Sequence, residues 1–260
     1  MKTFSLSLMM SVLLLTSFTI AHAQTKRVVA SKNYVTQKVE ADRFNAIQLL
    51  GSADIVYRQS ASTTVEIYGS DNIVPLLETY TSKGTLTVKF KKNTRIINRG
   101  KLIVKVSSPE LNKITVNGSG DIKLANGIQT NKNIDVTVNG SGDIAGEGFQ
   151  CEAITVSVRG SGDIKLQKIQ SKTCVVSIAG SGDVVLSGQT GEAKYRIAGS
   201  GDISASGLRA VNTSASVSGS GDIKCHADKK LTARVSGSGS VAYKGNPKEI
   251  DAPRKKIRKL

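Results

Sequence analysis

The tetrapeptide Gly-Ser-Gly-Asp ends at Asp121, Asp143, Asp163, Asp183, Asp202 and Asp222, and a seventh copy with serine in place of aspartate ends at Ser240. Successive copies are 22, 20, 20, 19, 20 and 18 residues apart. A fixed period of about 20 residues is the mark of a solenoid, in which no unit buries its apolar face alone and each stacks on its neighbours.

The residues between the markers say what each unit is made of. Five positions before the marker stand Val116, Val138, Val158, Ile178, Ile197, Val217 and Val235, and seven before it Ile114, Val136, Val156, Val176, Tyr195, Ala215 and Ala233. One position after it come Ile122, Ile144, Ile164, Val184, Ile203, Ile223 and Val241. These positions share one parity, and the residues between them are largely Thr, Ser, Lys and Arg, which is the alternation of a half-buried strand. Leucine-rich repeats have a similar length, but their leucine spacing and asparagine are missing, and no unit has room for an amphipathic helix. The pattern predicts an all-β, single-stranded parallel β-helix with two or three short strands per rung, identical positions stacking about 4.8 Å apart. With 39% apolar residues, 4% aromatics and no Trp, its core is aliphatic.

Within the tetrapeptide the two glycines share the inward parity, where a missing side chain lets the backbone bend or approach the core. Ser and Asp then face outward and form columns. Carboxylates about 5 Å apart repel by roughly 1 kcal/mol even at the dielectric of water. Three compensations are open: backbone N–H groups donating to each carboxylate in a turn, the lysines at 123, 165 and 224, or a calcium ladder on Asp121, Asp143, Asp163, Asp183, Asp202 and Asp222. Turn chemistry is the favoured reading, because the spacing departs from that of calcium-binding β-rolls.

Outside the array, Met1-Lys2, the apolar run from Phe4 to Ile20 and Ala21-His22-Ala23 have the form of a secretory signal peptide, 1–23, with mature protein beginning near Gln24. No Cys follows that site directly, so lipid anchoring is not indicated, and no later stretch reaches the roughly 18 apolar residues that span a bilayer. Export to the periplasm, the outer-membrane surface or the medium is expected. Residues 25–110 also read as β, with Gly51-Ser52-Ala53-Asp54-Ile55 as a degenerate first copy and early strands beginning one continuous domain, 24–247. Ile73 to Tyr80 reads as a short helix or a flanking loop. The tail, 248–260, carries Arg254, Lys255, Lys256, Arg258 and Lys259 and reads as disordered or as a loose cover for the last rung.

The exported N-terminus, the stretch FNAIQLLGSADI at Phe44 to Ile55, the junction PELNKITVNGSGDI at Pro109 to Ile122 and the reiterated GSGD together resemble the head GIN domain of auto-transporter adhesins. The resemblance covers roughly residues 40–245 and implies a right-handed parallel β-helix on the bacterial cell envelope, with no catalytic residues to carry over. The chain departs from that pattern in Ser240 and in its basic tail.

Enzyme chemistry lacks parts. Three cysteines, 151, 174 and 225, make no disulfide framework. Cys174 and Cys225 fall at positions that other repeats fill with Ile, Ala or Leu, so they read as buried small hydrophobes, whereas Cys151 sits in a connecting segment where reactivity is open but nothing near it in sequence supports it. His226 is the one imidazole beyond the leader, and no zinc-protease, P-loop or nucleophile-elbow motif is present. No catalytic residue, cofactor or metal is therefore assigned. A polysaccharide-cleaving β-helix enzyme rests on fold analogy alone, and a calcium-stabilised scaffold is the other alternative.

Binding is better supported. Formal charge is +16, and between Lys83 and Lys113 nine basic residues face one acid, Glu110. Lys89, Lys91, Lys92, Arg95, Arg99 and Lys101 form the candidate patch for an anionic ligand: acidic glycan, lipopolysaccharide phosphate, or a protein of the envelope. The competing reading is a solvated strand face whose lysines discourage aggregation. Nucleic acid is disfavoured by export and by too few aromatics for base stacking. Peripheral membrane association stays open. The sequons at Asn117 and Asn139 read as turn residues of the repeat.

Overall fold

The computed structural model describes residues 26–97 and 100–260; the segment read as a leader, 1–23, and Arg99 lie outside them. The described chain is a β-solenoid of about seven turns with rungs of about 20 residues, as the repeat predicts. The strands of the N-terminal part are β1 (Lys26–Val29), β2 (Tyr34–Val39), β3 (Ala46–Gly51), β4 (Asp54–Gln59), β5 (Thr64–Ser70), β6 (Leu77–Ser82), β7 (Thr85–Phe90), β8 (Thr94–Ile97) and β9 (Ile103–Ser108). The array follows with β10 (Lys113–Gly118), β11 (Ile122–Leu124), β12 (Ile128–Gln129), β13 (Ile134–Gly140), β14 (Ile144–Gln150), β15 (Ala153–Gly160), β16 (Ile164–Gly180), β17 (Val184–Gly199) and β18 (Ile203–Gly219). It closes with β19 (Ile223–His226), β20 (Lys230–Gly237), β21 (Val241–Lys244), β22 (Glu249–Asp251) and β23 (Ile257–Lys259).

Register follows the repeat residue for residue. Ile114 stands beside Val136, Val136 beside Val156, Val156 beside Val176, then Tyr195, Ala215 and Ala233. All seven are buried, and so are the columns that begin at Val116 and Ile122, apart from the half-buried Val235 near the end. Tyr195 takes the place of a valine where the next two rungs supply only alanine, so volume is conserved along the column.

The corner between the first two faces explains why the tetrapeptide repeats. Gly118, Gly140, Gly160, Gly180, Gly199 and Gly219 have φ between 130° and 147°, a region that disfavours side chains. Each of their carbonyls accepts two N–H groups from the next rung, those of its Ser and its second glycine; Gly140 O, for example, lies 2.9 Å from Ser161 N and 3.1 Å from Gly162 N. Such close approach leaves no space for a Cβ on the second glycine, which at Gly162 would sit 2.1 Å from Gly142 O. Ala53 occupies the equivalent position in the first copy, where the rung beneath has no Gly-Ser-Gly corner, β7 ending at Phe90 and β9 beginning at Ile103.

Chain order and spatial order diverge at the N-terminal end, contrary to the expectation that the early strands simply begin the helix. β3 and β4 do pair in parallel with β10 and β11, so the degenerate copy is a true rung. Beneath it, however, lie β7 and β9, which come later in the chain. That lower rung is covered by antiparallel strands, β6 on β7 and β5 then β2 on β9. A two-residue hairpin at Lys83 (φ 47°) and Gly84 (φ 73°) makes the reversal, both residues having the positive φ of a type I′ turn. The stretch read as a short helix or loop splits into a 3-10 turn, Val74–Leu76, and β6.

The basic tail is ordered. β22 pairs with β20 and β23 with β21, adding a last partial rung. Cross-rung ion pairs hold it, Lys230 to Glu249 at 3.1 Å and Arg234 to Asp251 at 2.6 Å. Lys256 donates its ammonium to Gly237 O, the last corner carbonyl, to which the partial rung supplies no backbone N–H donor among the described residues. Of the two readings of the tail, disorder or a cover for the last rung, these pairings fit the second; charge composition does not reveal the cross-rung partners.

Replacing Gly162 by Ala is expected to lower stability by roughly 3 kcal/mol, through overpacking against a backbone carbonyl, whereas Ala53→Gly should cost no more than about 1 kcal/mol. Urea unfolding of the two variants checks the contrast.

Candidate functional site

The outward residues of the corner form the columns that the sequence predicts: Ser119, Asp121 and their counterparts are exposed, while the second glycines between them are buried. The carboxylates are held in a different way from a local turn. Oδ1 of each aspartate accepts the backbone N–H of the aspartate one rung on: Asp121 from Asp143 at 2.9 Å, Asp143 from Asp163 at 2.8 Å, Asp163 from Asp183 at 2.8 Å, Asp183 from Asp202 at 2.9 Å and Asp202 from Asp222 at 2.7 Å. The series starts at Asp54 and ends at Ser240, whose N–H and Oγ both lie within 2.9 Å of Asp222 Oδ1.

The backbone geometry of the corner requires this. Asp143 C=O accepts from Ile122 N in the rung below, and Asp143 N–H points the same way. No backbone carbonyl is left opposite that N–H, so the side chain of the rung below supplies the acceptor. The lysines at 123, 165 and 224 form no ion pair with the column among the described residues. Nor do the described residues contain a group of three or more His, Cys, Asp and Glu side chains arranged to hold a metal ion. Asn117 and Asn139 also stack, Asn139 Nδ2 donating to Asn117 Oδ1 at 2.8 Å, but they lie within the paired strands β10 and β13 and not in a turn as the sequence suggests.

The thiols are all free and buried. Cys174 and Cys225 are core residues as expected, and burial pushes both thiols up to about 12. Cys151, whose role the sequence leaves open, is also buried. Its N–H bonds to Gln170 O at 3.1 Å, which ties the connecting segment to the next rung and leaves the residue 9% exposed. Burial, with Glu152 adding to it, pushes this thiol up to about 11. His226 is held by Asp228 at 3.0 Å while the neighbouring Cys225 points into the core, so the two form no nucleophile pair.

The candidate basic patch divides. Lys89, on β7, is engaged by Glu78 at 3.3 Å and lies 5.2 Å over the Tyr80 ring. Lys91, Lys92, Arg95 and Lys101 are exposed and make no ion pair among the described residues, while Arg99 lies outside them. The structure adds a cation that sequence reasoning missed. β8 pairs in parallel with β1 as a separate two-stranded ribbon, which sets Arg27 directly opposite Arg95. The two are 68 positions apart, with no periodic signal to link them. The other concavities are shallow surface hollows, one of about 530 Å³ over Ala145 between Lys123 and Lys165, another of about 460 Å³ over Val56 and Ile103. No described helix is long and apolar enough to cross a membrane.

Residues 43–247 match the family model described as "Putative auto-transporter adhesin, head GIN domain". Among solved structures, the chain is similar to a putative adhesin from Bacteroides fragilis, with 31% identity over 89% of this chain and 95% of that one and a TM-score of 0.68. It is also similar to a putative lipid binding protein from Parabacteroides distasonis, with 26% identity, 90% and 100% coverage and a TM-score of 0.82. A putative adhesin from Parabacteroides merdae shares 25% identity, with 90% and 99% coverage and a TM-score of 0.76. Among curated proteins none matches the chain.

Two outcomes follow from the geometry. Asp163→Ala should destabilise by about 0.5–1.5 kcal/mol, the net worth of a hydrogen bond at an exposed corner, and Asp163→Asn by clearly less because it keeps an acceptor; urea midpoints in EDTA should equal those in calcium. The raised thiols stay protonated until the pH nears 11, so a thiol-exchange reagent at pH 8 should label the native chain far more slowly than the unfolded one, whose cysteines ionise near 8.5.

Proposed function

Because the chain belongs to the head GIN domain family of auto-transporter adhesins, we propose that it is a non-catalytic binding module of the bacterial cell envelope whose cationic N-terminal third holds acidic envelope material, either glycan or lipopolysaccharide phosphate. Exposed cations that lack carboxylate partners carry this reading: Lys91, Lys92, Arg95 and Lys101 stand at one end of the solenoid unneutralised by the described residues. Unpaired surface charge of one sign raises the local concentration of an opposite-charged ligand and speeds its capture. Arg adds bidentate geometry for phosphate and carboxylate.

Three further points support it. The leader-like segment 1–23 would send the chain to the periplasm or beyond. Flat faces with shallow hollows suit an extended polymer or a surface better than a small substrate that must be enclosed for reaction. The similarity to a structure described as a putative lipid binding protein favours an amphiphilic envelope component among the acidic ligands.

Binding to acidic and neutral glycans and to lipopolysaccharide, measured at low and physiological salt, tests the reading. The expected result is selective binding that survives physiological salt and weakens at least tenfold when Lys91, Lys92, Arg95 and Lys101 are all changed to Gln. Binding that salt abolishes for every acidic ligand alike, or that the quadruple variant retains in full, would leave these residues as a solvated face.

A further inference from the structure

We infer that the β1–β8 ribbon is a membrane-contacting element, which docks on an anionic lipid surface through Arg27 and Arg95 with Val29 and Ile97 entering the headgroup boundary. The inference rests on the binding reading above and specifies one surface and one partner for it.

The ribbon's two faces differ in a regular way. Arg27 stands opposite Arg95, Val28 opposite Ile96 and Val29 opposite Ile97. Alternation puts the arginines, Val29 and Ile97 on one face and Val28 and Ile96 on the other. Val28 and Ile96, with Ala30, pack against the core. The face with the arginines therefore points away from the body, and Val29 is 59% exposed, the highest value among the exposed large hydrophobic residues described.

The ribbon is fixed in this orientation. Ala30 N donates to Ile97 O at 3.0 Å, Asn72 Nδ2 donates to Val29 O at 2.8 Å, and Ser31 N donates to Asn72 Oδ1 at 2.9 Å. Turning the strand over to hide Val29 would expose Val28 and Ile96 and break these bonds.

Two features of this outer face are unfavourable in water. Like charges directly opposite each other weaken a strand pair, and neither arginine has a carboxylate partner among the described residues. The exposed Val29 beside them, with the half-buried Ile97 opposite, gains nothing from solvent. A soluble polyanion would relieve the first and leave the second. An anionic bilayer relieves both, because phosphates accept from the guanidinium groups while the aliphatic side chains enter the boundary below. Lys91 and Lys92, which precede β8, and Lys101, which follows it, add to the same attraction.

Co-sedimentation with vesicles tests the assignment, using the chain from Gln24 onward, which carries every described element. Vesicles of phosphatidylglycerol and phosphatidylcholine in equal parts should bind the protein at physiological salt, and pure phosphatidylcholine should not. Arg27→Ser with Arg95→Ser should reduce partitioning about 25-fold, taking about fivefold for each cation at an anionic surface. Arg27→Lys with Arg95→Lys should keep most of it. The chain contains no Trp, so Val29→Trp supplies a single indole whose emission should shift to the blue on anionic vesicles but not on soluble dextran sulfate. An unchanged emission on vesicles, or a double Ser variant that folds and partitions like the parent, would overturn the inference. Capture of acidic glycan without capture of vesicles would refute the ribbon's role while leaving the binding reading intact. Capture of neither would refute both.

Discussion

Every rung of the array, from the Gly118–Gly120 corner onward, rests on a contact between a backbone carbonyl and the glycine of the next rung. The carbonyl of the first corner glycine takes two N–H donors from the rung above, and the atoms come so close that a Cβ on the second glycine would lie about 2.1 Å from a carbonyl oxygen. Repetition follows from that packing: each rung of the array, from Gly118 and Gly120 onward, must bring glycine to both positions. A further consequence falls on the aspartate. The corner turns its N–H and its C=O toward the same neighbour, and the carboxylate below completes the hydrogen bonding. The column of like charges is therefore tolerated as the means of giving each corner amide a protein acceptor, a gain of about 0.5–1.5 kcal/mol per hydrogen bond.

The same contact decides what was legible in the sequence. Identical environments repeat at fixed spacing, so the inward columns, the outward Ser and Asp and the burial of Cys174 and Cys225 could be read from parity alone. Ends of a solenoid have no such repetition. The lower rung of β7 and β9, its antiparallel covers and the last rung of β22 and β23 are built from pairings unique to each place. Cys151 was left open for a related reason: it lies between strands, where its N–H pairs with the next rung and no repeat parity marks its burial. In the basic segment, sequence located the cations but not their partners. Glu78 removes Lys89 from the free set and Arg27 joins it, each through a strand pairing invisible in composition.

Charge follows the architecture closely. Residues 114–223, the regular array, hold nine basic and ten acidic residues, whereas 24–113 hold fifteen against seven and 224–260 eleven against three. The body is thus near neutrality and both ends are positive. Open ends of a stack invite another copy to add strands. Antiparallel covers at one end, the Lys256 cap at the other and like charge at both oppose such growth, and at the N-terminal end the same cations stand ready for an anionic partner.

Amide hydrogen exchange across the corner column measures the central hydrogen bond most directly. In the parent chain the amides of Ser181, Gly182 and Asp183 should all be protected, and Asp163→Ala should release Asp183 selectively while the first two, which donate to Gly160 O, stay slow. An Asp183 amide that exchanges freely in the parent, or keeps its protection in Asp163→Ala, would contradict the role given to the carboxylate column and reopen those oxygens to a ligand.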